Sequence, residues 1–262
     1  MLVSMCCMHS IHPIPAFADN YIWLIRFGDR RAAVVDPGDA EPVLHTLQQQ
    51  GLELAAVLIT HHHWDHINGL ELLRDHHSDI PVYGPAGEQI AGLTDTCSEG
   101  DCITLDGLRL KVLDVPGHTA GHIAFFGHGA LFSGDTLFGA GCGRLLGGTA
   151  TQLYESLNKI SRLPISTYNY CAHEYTLANL DFAQAVEPGN SDIRQRCAAE
   201  QRKRDQGQPT LPATLELELA TNPFLRCDQE AVIVSAENFA GKHLDGPDKV
   251  FKALRHWKDT FG

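Results

Sequence analysis

Hydrophobic positions in the first two-thirds of the chain fall into short runs separated by turn residues. "YIWLIRF" (21–27) and "RAAVVDPG" (31–38) have the length and composition of strands, and the second closes on a Pro-Gly turn. "DAEPVLHTLQQQG" (39–51) predicts a helix with an acidic start and a glycine stop. "LAAVLIT" (54–60) is apolar throughout, as a strand buried on both faces would be. Helical patterning resumes over 67–77. Strands are predicted at 81–83, 102–105, 108–115, 122–127 and 130–134, followed by a helix at 151–162 and a last strand, "TYNYCA", at 167–172. Beyond about residue 176 the texture changes. Segments 192–206, 230–240 and 248–261 have helical spacing with little strand alternation.

Alternating strands and helices imply an α/β fold with helices layered on sheet, and the back part reads as a helical appendage. The chain of 262 residues is 44% hydrophobic and 20% charged, enough apolar material for a sizeable core. No segment approaches the roughly 18 consecutive apolar residues of a membrane span. The opening "MLVSMCCMHS" lacks the basic start and apolar stretch of a secretory signal, and its methionines leave Met5 or Met8 as alternative starts. Eight cysteines at irregular spacings, with no CxxC pair, suit reduced thiols in a cytoplasmic protein. A net charge of −12 argues against nucleic acid or an anionic membrane as partner. An anionic substrate would therefore need local cations.

The chemistry concentrates in "LITHHHWDHINGL" (58–70), which follows a predicted buried strand. In an extended loop His61 and His63 point to one side, while His62 and Trp64 point to the other. Asp65 and His66 then open the next helix. Two imidazoles on one side and a carboxylate–imidazole pair beyond them suggest two adjacent metal positions. Each position needs further ligands. Candidates stand at the ends of later strand-like runs: His118 in "DVPGHTAGH", Asp135 in "FSGDTLF" and His173 in "YCAHEYT". A solvated His-rich loop explains the first cluster but not the three later residues. His62 has the wrong parity for a ligand and reads as a supporting or surface residue. His122 suits either orientation of a ligand or packing at a strand start. His76, His77, His128 and His243 are expected to be solvated.

The T-H-x-H-x-D-H string (60–66), with His118, Asp135 and His173, resembles the metallo-β-lactamase superfamily. "LFSGDTLFGAGCGRLLGGT", "CAHEYTLANLDFA" and "ALRHWKDTF" narrow the likeness to its hydroxyacylglutathione hydrolase (glyoxalase II) family, bacterial type. The resemblance implies a four-layer αββα sandwich over residues 8–175 and a C-terminal helical substrate-binding domain over 176–262. It implies two divalent metal ions, zinc with iron or manganese as alternatives. One ion would take His61, His63 and His118, the other Asp65, His66 and His173. Asp135 would bridge them, with Asp65 and Asp135 as the catalytic carboxylates.

The resemblance also assigns substrate binding to Arg144, Tyr175, Arg255 and Lys258. Leu146 departs from relatives that carry a tyrosine there. The tail adds a reading of its own. On a helix over 248–261, Val250, Leu254, Trp257 and Phe261 form one apolar stripe, with Arg255 and Lys258 about 60° apart on its flank. Taken alone, these two cations also suit a solvated face, and Arg144 and Tyr175 suit loop packing. The implied reaction is hydrolysis of S-D-lactoylglutathione and related 2-hydroxyacylglutathiones to D-lactate and glutathione, the second step of methylglyoxal detoxification, by hydroxide held between the metals. The expected form is a cytoplasmic monomer. Its alternative on the same scaffold is an iron-dependent glutathione persulfide dioxygenase. A β-lactamase would use other second-site ligands, a nuclease a larger insertion, and a non-catalytic metal-binding module would not need a complete ligand set.

Overall fold

The structure, a computed structural model, describes residues 9–261. The readings made on the opening Met1–Met8, a start residue and the lack of a leader, lie outside the described residues. The chain divides into two compact units, one running to Leu113 and adding Ile123–His128, the other comprising Asp114–His122 and the residues from Gly129 onward.

The first unit holds a six-stranded sheet in chain order: Ser10–Ala16, Asn20–Phe27, Arg31–Val35, Glu53–Leu58, Val82–Pro85 and Asp95–Cys97. The first three strands are antiparallel neighbours and the rest run parallel. Asn20–Phe27 and Glu53–Leu58 are buried almost continuously, which explains why neither alternates in sequence. Ser10–Ala16 is not predicted by its pattern because Pro13 and Pro15 interrupt it. Its place at the sheet edge tolerates them. The helix Ala40–Gln50 begins at Asp39, whose carboxylate accepts from the Glu41 N–H, and ends at Gly51 in the left-handed region. Val43 and Leu47 on this helix share one buried apolar cluster with Val34, Val57 and Ile59.

The helix expected over 67–77 is instead two pieces, Trp64–Ile67 and Leu70–His76. Gly69 stands at the break. Its N–H donates to the Pro37 carbonyl at 3.0 Å, and a β-carbon there would come within 2.4 Å of that oxygen. The break thus fits the chain against the loop that follows Arg31–Val35.

In the second unit Ala130–Gly134 pairs in parallel with Tyr168–Cys171, which pairs antiparallel with Ala213–Thr214. Leu137–Phe138 and Gly141–Cys142 form a small ladder of their own, too short to register as a pattern. Helix Ala150–Ser161 starts with a capping box between Thr149 and Gln152. Thr176–Val186, Ser191–Asp205, Leu215–Thr221, Glu230–Ala240 and Pro247–Thr260 follow. On the last of these Val250 and Leu254 are buried as the apolar stripe predicts, and so is Phe251, which packs edge-on against Phe224. Among the described residues no helix is long and apolar enough to cross a membrane.

Candidate metal centre

Two parallel strands of the first unit, Arg31–Val35 and Glu53–Leu58, end side by side, and their following residues are cross-linked. Asp36, with a φ of +53°, accepts the Thr60 N–H on one oxygen at 2.8 Å and the Thr60 hydroxyl on the other at 2.7 Å. Its Oδ2 also lies 3.0 Å from Nδ1 of His66. His61 Nδ1 is 3.0 Å from the Thr60 hydroxyl, and His61 Nε2 is 3.1 Å from His63 Nδ1. Ligand-type atoms of Asp36, His61 and His66 all fall within 4.8 Å of one another, and all three residues are buried. Asp65 Oδ2 accepts from Asn20 Nδ2 at 3.0 Å and stands 3.5 Å from His66 Nε2. Gly38 makes room for this turn, because a β-carbon there would meet the Asp65 carbonyl at 1.7 Å.

The parity reading holds locally. His61 and His63 converge, whereas His62 turns away and its ring and N–H both engage Glu88. Trp64 is 64% exposed and packs on Phe17, ring centres 5.0 Å apart.

In the second unit His118, Asp135 and His173 are all buried. Asp135 and His173 each follow one of the parallel strands Ala130–Gly134 and Tyr168–Cys171, so adjacent strands deliver them together. The Asp135 carboxylate divides its oxygens: Oδ2 lies 3.4 Å from His118 Nε2, and Oδ1 lies 3.4 Å from His173 Nε2. His118 Nδ1 donates to the Arg144 carbonyl at 2.8 Å, which turns Nε2 toward Asp135. The His122 ring accepts the Asp135 N–H on Nε2 at 3.1 Å, so it fixes the backbone of Asp135. The His173 ring stacks on Tyr175, nearly parallel, with 4.8 Å between centres.

Imidazoles tied back by hydroxyl, carboxylate and carbonyl groups, together with carboxylates, form a donor set suited to zinc, iron or manganese. A carboxylate with one oxygen toward each of two imidazoles suits a bridging ligand. By this chemistry the residues fit divalent metal ions.

Among the residues expected to bind substrate, Arg144 is exposed and Tyr175 is 37% exposed; Leu146, the departure from relatives that carry a tyrosine, is exposed too. Lys258 is partly buried. It donates to the Ala178 carbonyl at 3.0 Å and sits over the Phe182 ring. Burial, and then the neighbouring Arg255, hold its pKa below the ordinary lysine value. Arg255 is different: it is buried, and its guanidinium engages backbone carbonyls of residues 142 and 143. Burial raises the Cys142 thiol to about 11 against the pull of Arg255, so it stays protonated and unsuited to nucleophilic attack at neutral pH. Asp36 and Asn20 escape a sequence reading that looks for ligands, since they contact the expected ligands His66 and Asp65 without being expected to be any themselves. An aspartate closing an apolar strand was the available signal.

The metallo-β-lactamase superfamily profile matches residues 17–173, and the profile of the hydroxyacylglutathione hydrolase C-terminus matches 174–261. A hydroxyacylglutathione hydrolase of Alkalilimnicola ehrlichii is 55% identical over 96% of this chain and 99% of its own. Among solved structures, ETHE1 from Myxococcus xanthus superposes with a TM-score of 0.64 at 25% identity, over 97% of this chain and 100% of its own. TTHA1623, solved in a di-iron-bound form, has a TM-score of 0.59 at 27% identity, over 82% of this chain and 100% of its own. Sheets with helices followed by a helical C-terminal part make up the expected α/β sandwich class. The chain belongs to the hydroxyacylglutathione hydrolase family of the metallo-β-lactamase superfamily.

Proposed function

We propose that the protein hydrolyses glutathione thioesters, S-D-lactoylglutathione foremost, to the free 2-hydroxy acid and glutathione. The near full-length match to a hydroxyacylglutathione hydrolase carries this reading, because it spans the C-terminal segment that contains Lys258 as well as the histidine string. In this proposal His61, His63 and His118 hold one divalent ion, Asp65, His66 and His173 hold a second, and Asp135 serves both. Zinc is the metal proposed, with iron or manganese compatible with the same donors. Bound there, two such ions would supply a hydroxide nucleophile at neutral pH and polarise the thioester carbonyl.

The chain's own residues do the rest. Asp36, Thr60 and the Arg144 carbonyl engage Nδ1 of His66, His61 and His118, which leaves Nε2 of each for metal. Arg144, Tyr175 and Lys258 are proposed to receive the glutathione portion. Arg144 and Lys258 supply local positive charge against an overall net charge of −12. Arg255 is proposed to act with them; its Nη1 and Nη2 engage the Cys142 carbonyl and Asp259. The leaving thiolate is a weak base compared with an alkoxide, so no strong general acid is required. The functional division proposed is residues 8–175 for catalysis and 176–262 for substrate binding, in a monomeric cytoplasmic enzyme.

The test is hydrolysis of S-D-lactoylglutathione by purified protein, followed by loss of thioester absorbance, with metal content measured on the same sample. Turnover that a chelator abolishes, with close to two metals per chain, is the expected result. A fully metal-loaded protein without turnover would remove the substrate assignment, and oxygen uptake with glutathione persulfide would then favour the dioxygenase.

A further inference from the structure

The middle histidine of the string stands outside the proposed ligand set, yet a carboxylate holds it twice. His62 donates its backbone N–H to Oε2 of Glu88 at 2.6 Å, and its Nδ1 meets the same oxygen at 2.7 Å. The Glu88 side chain is 4% exposed, against 47% for that of His62. A carboxylate so deeply buried needs partners of this kind to offset its lost hydration. The backbone continues extended at His63, with φ −62° and ψ 144°. One residue to either side of His62, the rings of His61 and His63 meet with 4.7 Å between centres.

The sheet explains how Glu88 comes to be there. Glu53–Leu58, the strand that leads into the string, lies between Arg31–Val35 and Val82–Pro85, and all three run parallel. Ile59 extends the pairing, its N–H donating to the Tyr83 carbonyl at 2.8 Å. Both flanking strands therefore end beside the start of the string. Asp36, one residue beyond the first, binds Thr60. Glu88, three residues beyond the other, binds His62. The exit of the central strand is thus gripped by a carboxylate from each side. Alternate side chains of an extended segment take opposite directions, so fixing His62 on one side turns His61 and His63 together to the other.

We propose that Glu88 is a positioning residue and His62 the handle it holds: by fixing the His61–His62 peptide and the His62 ring, it sets the direction in which His61 and His63 present nitrogen to metal. The middle histidine then has a reason to be histidine, since its Nδ1 adds a hydrogen bond that no aliphatic side chain can make. The inference rests on the proposed function only for the assignment of His61 and His63 as metal ligands. It holds for any substrate.

The experiment uses the full-length protein, its Glu88→Ala, Glu88→Gln and His62→Ala variants, and the double variant Glu88→Ala with His62→Ala. Zinc affinity is measured by competition with a chromophoric chelator, cobalt(II)-loaded samples are compared by visible absorption, and kcat and KM are determined at saturating zinc. Glu71→Ala removes an exposed carboxylate of the same unit and controls for the change in net charge. Glu88→Ala should bind zinc roughly ten- to a hundredfold more weakly, the cost typical of losing a group that orients a ligand. Its cobalt spectrum should change, and KM should stay within about twofold of wild type once zinc saturates, because uniform substrate binding is intact. Glu88→Gln keeps an acceptor oxygen and should fall between wild type and Glu88→Ala. His62→Ala keeps the backbone N–H, so it should lose less than Glu88→Ala. Added to Glu88→Ala, it should cost nothing further, since both groups act through one oxygen.

Wild-type zinc affinity and spectrum in Glu88→Ala would overturn the proposal. A raised KM beside them would place the pair at the substrate, and a lowered Tm alone would make it a brace for the loop. A loss of affinity shared by Glu71→Ala would trace to net charge and overturn it too. Additive losses in the double variant would mean that ring and carboxylate act separately, with the same consequence. If Glu88→Ala fails to fold, Glu88→Gln and His62→Ala decide on the same measurements. Wild-type protein that takes up no divalent metal would defeat this inference and the proposed function together. Protein that binds zinc but hydrolyses no glutathione thioester would defeat the proposed function alone, and the Glu88 comparison of affinity and spectrum would still stand.

Discussion

Oδ2 of Asp36 lies 3.0 Å from Nδ1 of His66, and both side chains are buried. This carboxylate also accepts two hydrogen bonds from Thr60, so one buried aspartate ties together the ends of two neighbouring parallel strands. The first of the two histidine-bearing segments is thus organised by a residue outside it.

Asp36→Asn tests that arrangement. The amide keeps the shape but loses the charge that favours a proton on His66 Nδ1. Zinc affinity should fall roughly ten- to a hundredfold. Chelator competition on the folded variant would show it, and an unchanged dissociation constant would mean that His66 is oriented by packing alone.

Asp135→Ala should abolish turnover and lower metal content together. Its two oxygens stand 3.4 Å from the imidazoles of His118 and His173, and alanine offers neither. Metal analysis with single-turnover assay checks this. Full turnover in the variant would rule out the bridging role.

Gly143→Ala separates space from backbone preference. Its added methyl would collide with the Asp135 carbonyl, so the loop must move. Overpacking of this kind costs about 1–3 kcal/mol. Here the Tm should drop and zinc content with it. Gly189→Ala, where a β-carbon meets nothing within 4 Å, should leave both unchanged.

Arg196 and Glu218 form a buried ion pair, and Glu218 also receives the Ala140 N–H and Asn222. Arg196→Ala would strand a buried carboxylate at a cost of about 3–5 kcal/mol. Urea unfolding should show that loss. A change under about 1 kcal/mol would indicate that water replaces the guanidinium.

Lys258 gives a pH dependence. Burial and the nearby Arg255 lower its pKa, so it loses charge at lower pH than an ordinary lysine. KM for an anionic thioester should therefore begin to rise with pH earlier than the usual lysine range. Lys258→Met should start from a higher KM and lose that trend. The stability linkage has the opposite direction. The unfolded chain binds this proton more tightly than the folded one, so this lysine's contribution to stability improves as pH rises through the folded pKa. KM profiles corrected for spontaneous thioester hydrolysis provide the check.

Much of this protein was legible before folding because the relevant physics is local. Parity along an extended loop brings His61 toward His63 and sends His62 to Glu88. Strand ends announced Asp135 and His173, and helical spacing placed Val250 and Leu254 inside. Other elements were silent because their reasons lie elsewhere in the chain. Pro13 and Pro15 hide a strand that only an edge position allows, and Gly69 breaks a continuous helical pattern because Pro37 passes beside it.

Arg255 marks the division most clearly. Helical period alone puts it on the flank of an apolar stripe beside Lys258, where either a substrate cation or a solvated charge would fit. The sequence by itself determined the residue types, their spacing and the strand ends that carry the chemistry. Only the tertiary structure decided what each charged group faces: Asp36 faces His66, and Arg255 faces the carbonyls before Arg144. Periodicity fixes a direction relative to one helix or strand. The partner in that direction comes from residues distant in the chain, at 113 positions' separation between Arg255 and Cys142.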